Sequence, residues 1–208
     1  MATEGAQLMN LRNSPLPDEA IASLLGLADL RVGRHSPDST DPMRSRDFWV
    51  QSIWRARILP VFHADAFLAV VTCAEPWQPG ADPQPGVLAR CMRLAGLRPK
   101  LQVVGWRKAV LSLQGDPTVI ELPNDPVAAA LREVDLFETH EYGSLDGIAY
   151  TIDVETWNIH ASLAFANPEV PSLQRLAKAI LAVGQEVGRA SGREAVVQYL
   201  KVWAEYES

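Results

Sequence analysis

His63 and Asp65 stand at alternate positions, which on a strand puts an imidazole and a carboxylate on one side, the arrangement a general base or a metal site needs. Upstream, His35 is followed by Asp38 and Asp41 and then by Arg44 and Arg46, a run suited to a phosphate or metal contact. His35, Asp38, Asp41, His63 and Asp65 therefore make the catalytic reading of this chain: a small hydrolase-like enzyme whose arginine pair holds an anionic substrate. Polar turn and loop chemistry accounts for the same residues without catalysis. Familiar motifs are missing: there is no nucleophile elbow, phosphate-cradling loop, dinucleotide fingerprint or paired-histidine zinc helix. His140 precedes Glu141, yet no second histidine follows four residues after it. No metal and no cofactor are expected.

A second constellation is charged and aromatic. From Ala109 to Gln174 the chain carries 11 carboxylates against Arg132 alone, a net of -10; the whole chain is only -6, so the rest carries +4. Such asymmetry speaks to partners rather than to fold. Between Glu133 and Pro168 there is no Lys or Arg, and Tyr142 and Trp157 fall in turns beside Glu141 and Glu155. An aromatic ringed by carboxylates has the make-up of an interface anchor with a charged rim. The residues expected to bind a partner are Asp135, Glu138, Glu141, Tyr142, Asp153, Glu155, Trp157 and His160. A solvated acidic face, with Trp157 folded back onto the sheet edge, is the plain alternative. A field of one sign speeds encounter with a basic partner and repels phosphate, so a basic protein is expected and nucleic acid is not.

These residues need a scaffold, and the pattern of apolar positions supplies an α+β one. A helix is expected over 18–30, opened by proline and acid, then a loop over 32–47 rich in Gly, Ser, Pro and Asp. Strands follow over 48–60 and 66–72, with a turn at His63, Ala64 and Asp65. The Pro/Gly-rich piece 76–86 is the one weak internal boundary in an otherwise single domain over 1–208. A short helix is expected over 87–97 and a strand over 101–105. The hairpin 109–122 turns at Gln114 to Pro117, which pairs Leu113 with Thr118 and Leu111 with Ile120. One or two helical turns over 125–131 lead to a meander of strands over 133–139, 148–155 and 158–166. A tight connection at Thr156 and Trp157 pairs Val154 with Ile159, Ile152 with Ala161, Tyr150 with Leu163 and Ile148 with Phe165, all on one buried face, and sets His160 opposite Asp153. Two helices close the chain, the first on the stripe Leu173, Leu176, Ala177, Ile180, Val183 and Val187, the second opened by a capping box of Ser191 and Glu194. Gly184, Gly188 and Gly192 read as close packing and helix termination. The fold expected is a central, mainly antiparallel sheet of hairpins and a meander, with helices packed on one face and two C-terminal helices.

Composition sets the remaining bounds. Hydrophobic residues at 48% and charged residues at 21% are those of an ordinary globule and rule out a disordered chain. Met1 to Leu11 shows no basic n-region or apolar h-region, and no apolar run is long enough for a bilayer, so a cytoplasmic location without membrane contact is expected. Cys73 and Cys91 form neither a disulfide framework nor a metal pattern, and read as free buried thiols. In charge and character over its whole length, the chain resembles the immunity proteins that bacteria keep against basic toxin domains. No residue motif carries that resemblance, so no site residues transfer with it. It implies an inhibitor that covers the active cleft of a basic toxin or effector domain, with a carboxylate-rich face setting the on-rate and an aromatic anchor holding the complex. A non-catalytic subunit or scaffold is a further alternative, and would show an apolar, self-complementary patch instead.

Overall fold

The computed structural model describes residues 16–32, 35–36, 48–74, 104–135 and 147–207. Its centre is an antiparallel sheet in the order β5-β4-β3-β2-β6-β7, built from β2 (Phe48–Pro60), β3 (Ala66–Ala74), β4 (Val104–Leu113), β5 (Asp116–Glu121), β6 (Ile148–Thr156) and β7 (His160–Ala166). A two-residue strand, β1 (His35–Ser36), pairs with the start of β2, Trp49 facing His35. Four α-helices, α1 (Asp18–Leu25), α2 (Pro126–Ala130), α3 (Pro171–Ser191) and α4 (Glu194–Tyr206), and one 3-10 turn after α2 complete the described part. The α+β architecture and the two C-terminal helices are as the sequence implies. The expected loop over 76–86 and helix over 87–97 lie outside the described residues; of the strand expected over 133–139 only the start is described, and there Glu133 ends a 3-10 turn (Leu131–Glu133) instead of opening a strand.

Alternation along each strand divides the sheet into two apolar faces. Trp54, Ala56 and Ile58 of β2 join Leu68, Leu111, Tyr150, Ile152 and Phe165 in the larger cluster, beneath α2, α3 and α4. The intervening residues Ile53, Phe67, Ala69, Val71 and Val110 face the other way and meet Ile21, Ala22 and Leu25 of α1. Helices thus cover both faces near the middle, which is why β3, an Ala/Val/Leu run without alternation, is buried throughout. Cys73 lies on the α1 side, free, and burial pushes its thiol up to about 12. Asp125 caps α2, its carboxylate accepting from the N–H groups of Val127 and Ala128 and also from Nε1 of Trp54 at 2.9 Å. That carboxylate ties α2 to the centre of the sheet.

Close packing of α3 on α4 accounts for the glycine spacing. A Cβ on Gly184 would lie 2.9 Å from both Leu200 and Trp203, and one on Gly188 would collide with Leu200. Gly192 adopts a left-handed conformation and ends α3. The capping box does not form: Ser191 ends α3, its hydroxyl donating to the Gly188 carbonyl and accepting from Arg193 N–H, while Arg193 sits at the N-cap of α4. Similarly, α1 stops at Gly26 in a left-handed cap, five residues short of the expected run through Leu30.

Both hairpins depart from the expected register by two residues. Leu113 pairs with Asp116 and Leu111 with Thr118, because Gln114 and Gly115, both at positive φ, make a two-residue turn rather than a four-residue one. In the second hairpin Val154 pairs with Ala161, Ile152 with Leu163 and Tyr150 with Phe165. An even slip preserves each residue's face, so Ile148, Tyr150, Ile152 and Phe165 remain buried as expected. Ile159 and Ala161 do not: Ile159 falls in the connection and is 53% exposed, and Ala161 is exposed on β7, while Val154 and Leu163 are half-buried.

Candidate functional site

The β6–β7 connection runs over Trp157, Asn158 and Ile159, closed by a bond from the N–H of Thr156, the last residue of β6, to the Ile159 carbonyl at 2.8 Å. Trp157 projects from it with 69% of its surface exposed, so it does not fold back onto the sheet edge. With the slipped register, His160 lies opposite Glu155 rather than Asp153, and the expected cross-strand pair of His160 with Asp153 is replaced. Opposite Asp153 is Ser162, whose hydroxyl donates to the carboxylate at 2.6 Å.

Asp153 and Glu155 share the α1 face of the sheet with a basic residue from the next strand in. Arg55 of β2 is in register with Asp153; its guanidinium forks onto Asp18 of α1 through bonds of 2.9 and 2.8 Å and lies 3.8 Å from Glu155. One arginine therefore meets two carboxylates, Asp18 and Glu155, with Asp153 a third on the same face, and the surplus is negative. With Asp18 half exposed, the ion pair orients the two side chains more than it stabilises the fold. Beside this cluster is an open groove of about 390 Å³ lined by Asp18, Glu19, Asp29, Leu30, Arg31 and Glu155. The acids of α1 double the carboxylate content near Glu155. Sequence reading missed them, since more than a hundred residues separate them from β6, and only the apolar stripe Ile21, Ala22 and Leu25 hinted that α1 docks on the sheet.

Of the other expected partner-binding residues only Asp135 is among the described ones, and it does not join this surface. Asp135 is exposed just beyond α2, in the layer on the opposite side of the sheet, where Glu133 pairs with Arg175 of α3 at 3.1 Å. Glu138, Glu141 and Tyr142 lie outside the described residues, as does His140.

The described members of the catalytic set, His35, His63 and Asp65, are not brought together either. His35 faces Trp49 at the start of β2, whereas His63 and Asp65 sit in the turn after Pro60, about 35 Å away along an extended strand. His63 is exposed with its ring edge-on to Tyr206, centroids 6.1 Å apart, and Asp65 bonds Arg57 at 3.1 Å. Asp38, Asp41, Arg44 and Arg46 lie outside the described residues. Among the described residues, no group of three or more His, Cys, Asp or Glu is placed to hold a metal ion, and no helix is long and apolar enough to cross a membrane.

A second cavity, of about 280 Å³, opens between the β4–β5 turn and the start of α4, lined by Ala64, Gln114, Asp116, Arg193, Val196 and Tyr199. Arg193 is already committed there, to Asp116 and, at 2.9 Å, to Thr118. The Tyr199 hydroxyl is buried without a hydrogen-bond partner among the described residues, and burial, helped by Asp65, pushes it well above the usual phenol range. Such a phenol stays protonated at neutral pH and cannot act as a base. Compared with known protein families, curated proteins and solved structures, the chain matches none.

Proposed function

We propose that this chain is a protein-binding module for a basic protein, an immunity-type inhibitor that covers the active cleft of a toxin or effector domain. The observation that carries the reading is Trp157: a large aromatic, 69% exposed at a hairpin tip, two residues from Glu155 and the carboxylate groove. Solvation alone explains exposed acids, but an exposed tryptophan loses apolar contact that a partner would restore. Asp18, Glu19, Asp29, Asp153 and Glu155, against Arg31 and Arg55, supply a field that speeds encounter with a cation-rich surface. The reading calls for no cofactor, and places the chain in the cytoplasm, in keeping with the free, buried thiol of Cys73.

The test is affinity capture with the wild-type chain and with a variant carrying Asp153→Lys, Glu155→Lys and Trp157→Ala. The expected result is a basic protein retained by wild type and lost by the variant, with association slowing as salt rises from low to physiological. Its toxic or enzymatic activity should fall as the complex forms. Equal retention by both chains, or association indifferent to salt, contradicts the reading.

A further inference from the structure

Among the described residues, nothing pairs with the outer edge of β7, which carries an unfilled backbone ladder. Its sequence, HASLAFA, holds none of the Lys, Asp, Glu, Arg or Pro with which open sheet edges are blunted. Within the β6–β7 ladder the Ile159 carbonyl accepts from Thr156 and the Asn167 N–H donates to Ile148, so the odd-numbered residues between them turn their backbone groups inward. The even-numbered residues His160, Ser162 and Ala164 then present their N–H and C=O groups outward, and all three are exposed. Their side chains lie on the same face as Asp153 and Glu155, and Ser162 and Ala164 are short. A strand added about 4.8 Å beyond β7 would be within reach of those carboxylates for any long cationic side chain laid across Ser162. On the other face Ala161 is exposed and Leu163 half-buried, a row that would accept apolar side chains.

We infer that β7 is a site of strand addition, and that its occupant is an extended segment of a basic protein in which Lys or Arg alternates with apolar residues. The inference rests on the proposed function and specifies how the partner is recognised. A second copy of this chain fits less well, because β7 has no cation to answer Asp153 and Glu155. Backbone bonds would supply affinity, and alternation would supply specificity.

The test uses a capped peptide matched to β7 in length, Lys-Val-Lys-Val-Lys-Val-Lys, and a block peptide of the same composition, Lys-Lys-Lys-Lys-Val-Val-Val. The alternating peptide should bind at least roughly tenfold more tightly. Ala164→Pro removes an outward donor without touching the β6–β7 ladder, and should abolish that preference. Ser162→Lys keeps every backbone group and opposes a cationic strand, so it serves if the proline variant does not fold. Equal binding of the two peptides, undiminished binding by both variants, or a wild-type dimer dissolved by Ala164→Pro would overturn the inference. A captured basic protein that binds Ala164→Pro as tightly as wild type overturns strand addition and leaves the proposed function standing. A chain that prefers the alternating peptide yet captures no basic protein keeps the strand site and sinks the proposed function.

Discussion

The two edges of the sheet are finished in opposite ways. At β5, Pro117 removes a ladder donor, Asp116 is held by Arg193 from the start of α4, Glu121 adds a charge, and α3 packs alongside. Among the described residues β7 has none of these devices, the strand is exposed along most of its length, and an exposed tryptophan projects from the turn that begins it. A guarded edge costs a protein little, so leaving one edge open beside a surplus of carboxylates is the arrangement that most needs a partner to explain it. The same contrast holds between two tryptophans. Trp203 of α4 is fully buried and donates to the Tyr150 hydroxyl at 2.8 Å, which in turn donates to Glu207, whereas Trp157 touches mostly water.

Mutations can break that contrast. Trp203→Ala should cost about 3–5 kcal/mol, since it empties a core position and removes the N–H from which the Tyr150 hydroxyl accepts; chemical denaturation would read it. A loss near zero would mean that the α4 layer contributes little and that the closed half is not the stable half.

A smaller, pH-dependent effect is expected at Glu207. Burial holds its carboxyl above the usual range, although the Tyr150 bond and Lys178 pull the other way. For an acid raised in the folded state, the unfolded chain releases its proton first, so stability falls as pH rises from the ordinary carboxylate value through the folded one. Glu207→Gln cannot titrate and should gain melting temperature relative to wild type across that window. A constant difference from acid to neutral pH would contradict the assignment.

The smallest stability effect belongs to Trp157→Ala, which should change unfolding free energy by less than about 0.5 kcal/mol while weakening capture of the basic protein. A large loss of stability would show the ring to be structural after all.

Much of this was readable in advance, and the failures share a cause. Alternation in Ile148, Tyr150 and Ile152 named the buried face of β6, and an even slip in pairing left that face intact. Alternation cannot choose between slips of two, because that depends on turn length, and Gln114 with Gly115 closed the first hairpin in fewer residues than the Asp116–Pro117 pair suggested. The consequence fell on the candidate site, where His160 gained Glu155 as its neighbour and lost Asp153. The contribution of Asp18, Glu19 and Asp29 was beyond periodicity altogether, since an amphipathic stripe shows that α1 docks but not where. Local pattern also could not place His35 and His63 at opposite ends of one strand, a fact of pairing rather than spacing.

Amide hydrogen exchange across β7, with and without the captured basic protein, tests the central claim most directly. The outward amides of His160, Ser162 and Ala164 should exchange fast in the free chain and slow on binding, while those of Ala161, Leu163 and Phe165 stay protected in both. Outward amides already protected in the free chain, or unchanged in the complex, would contradict the account.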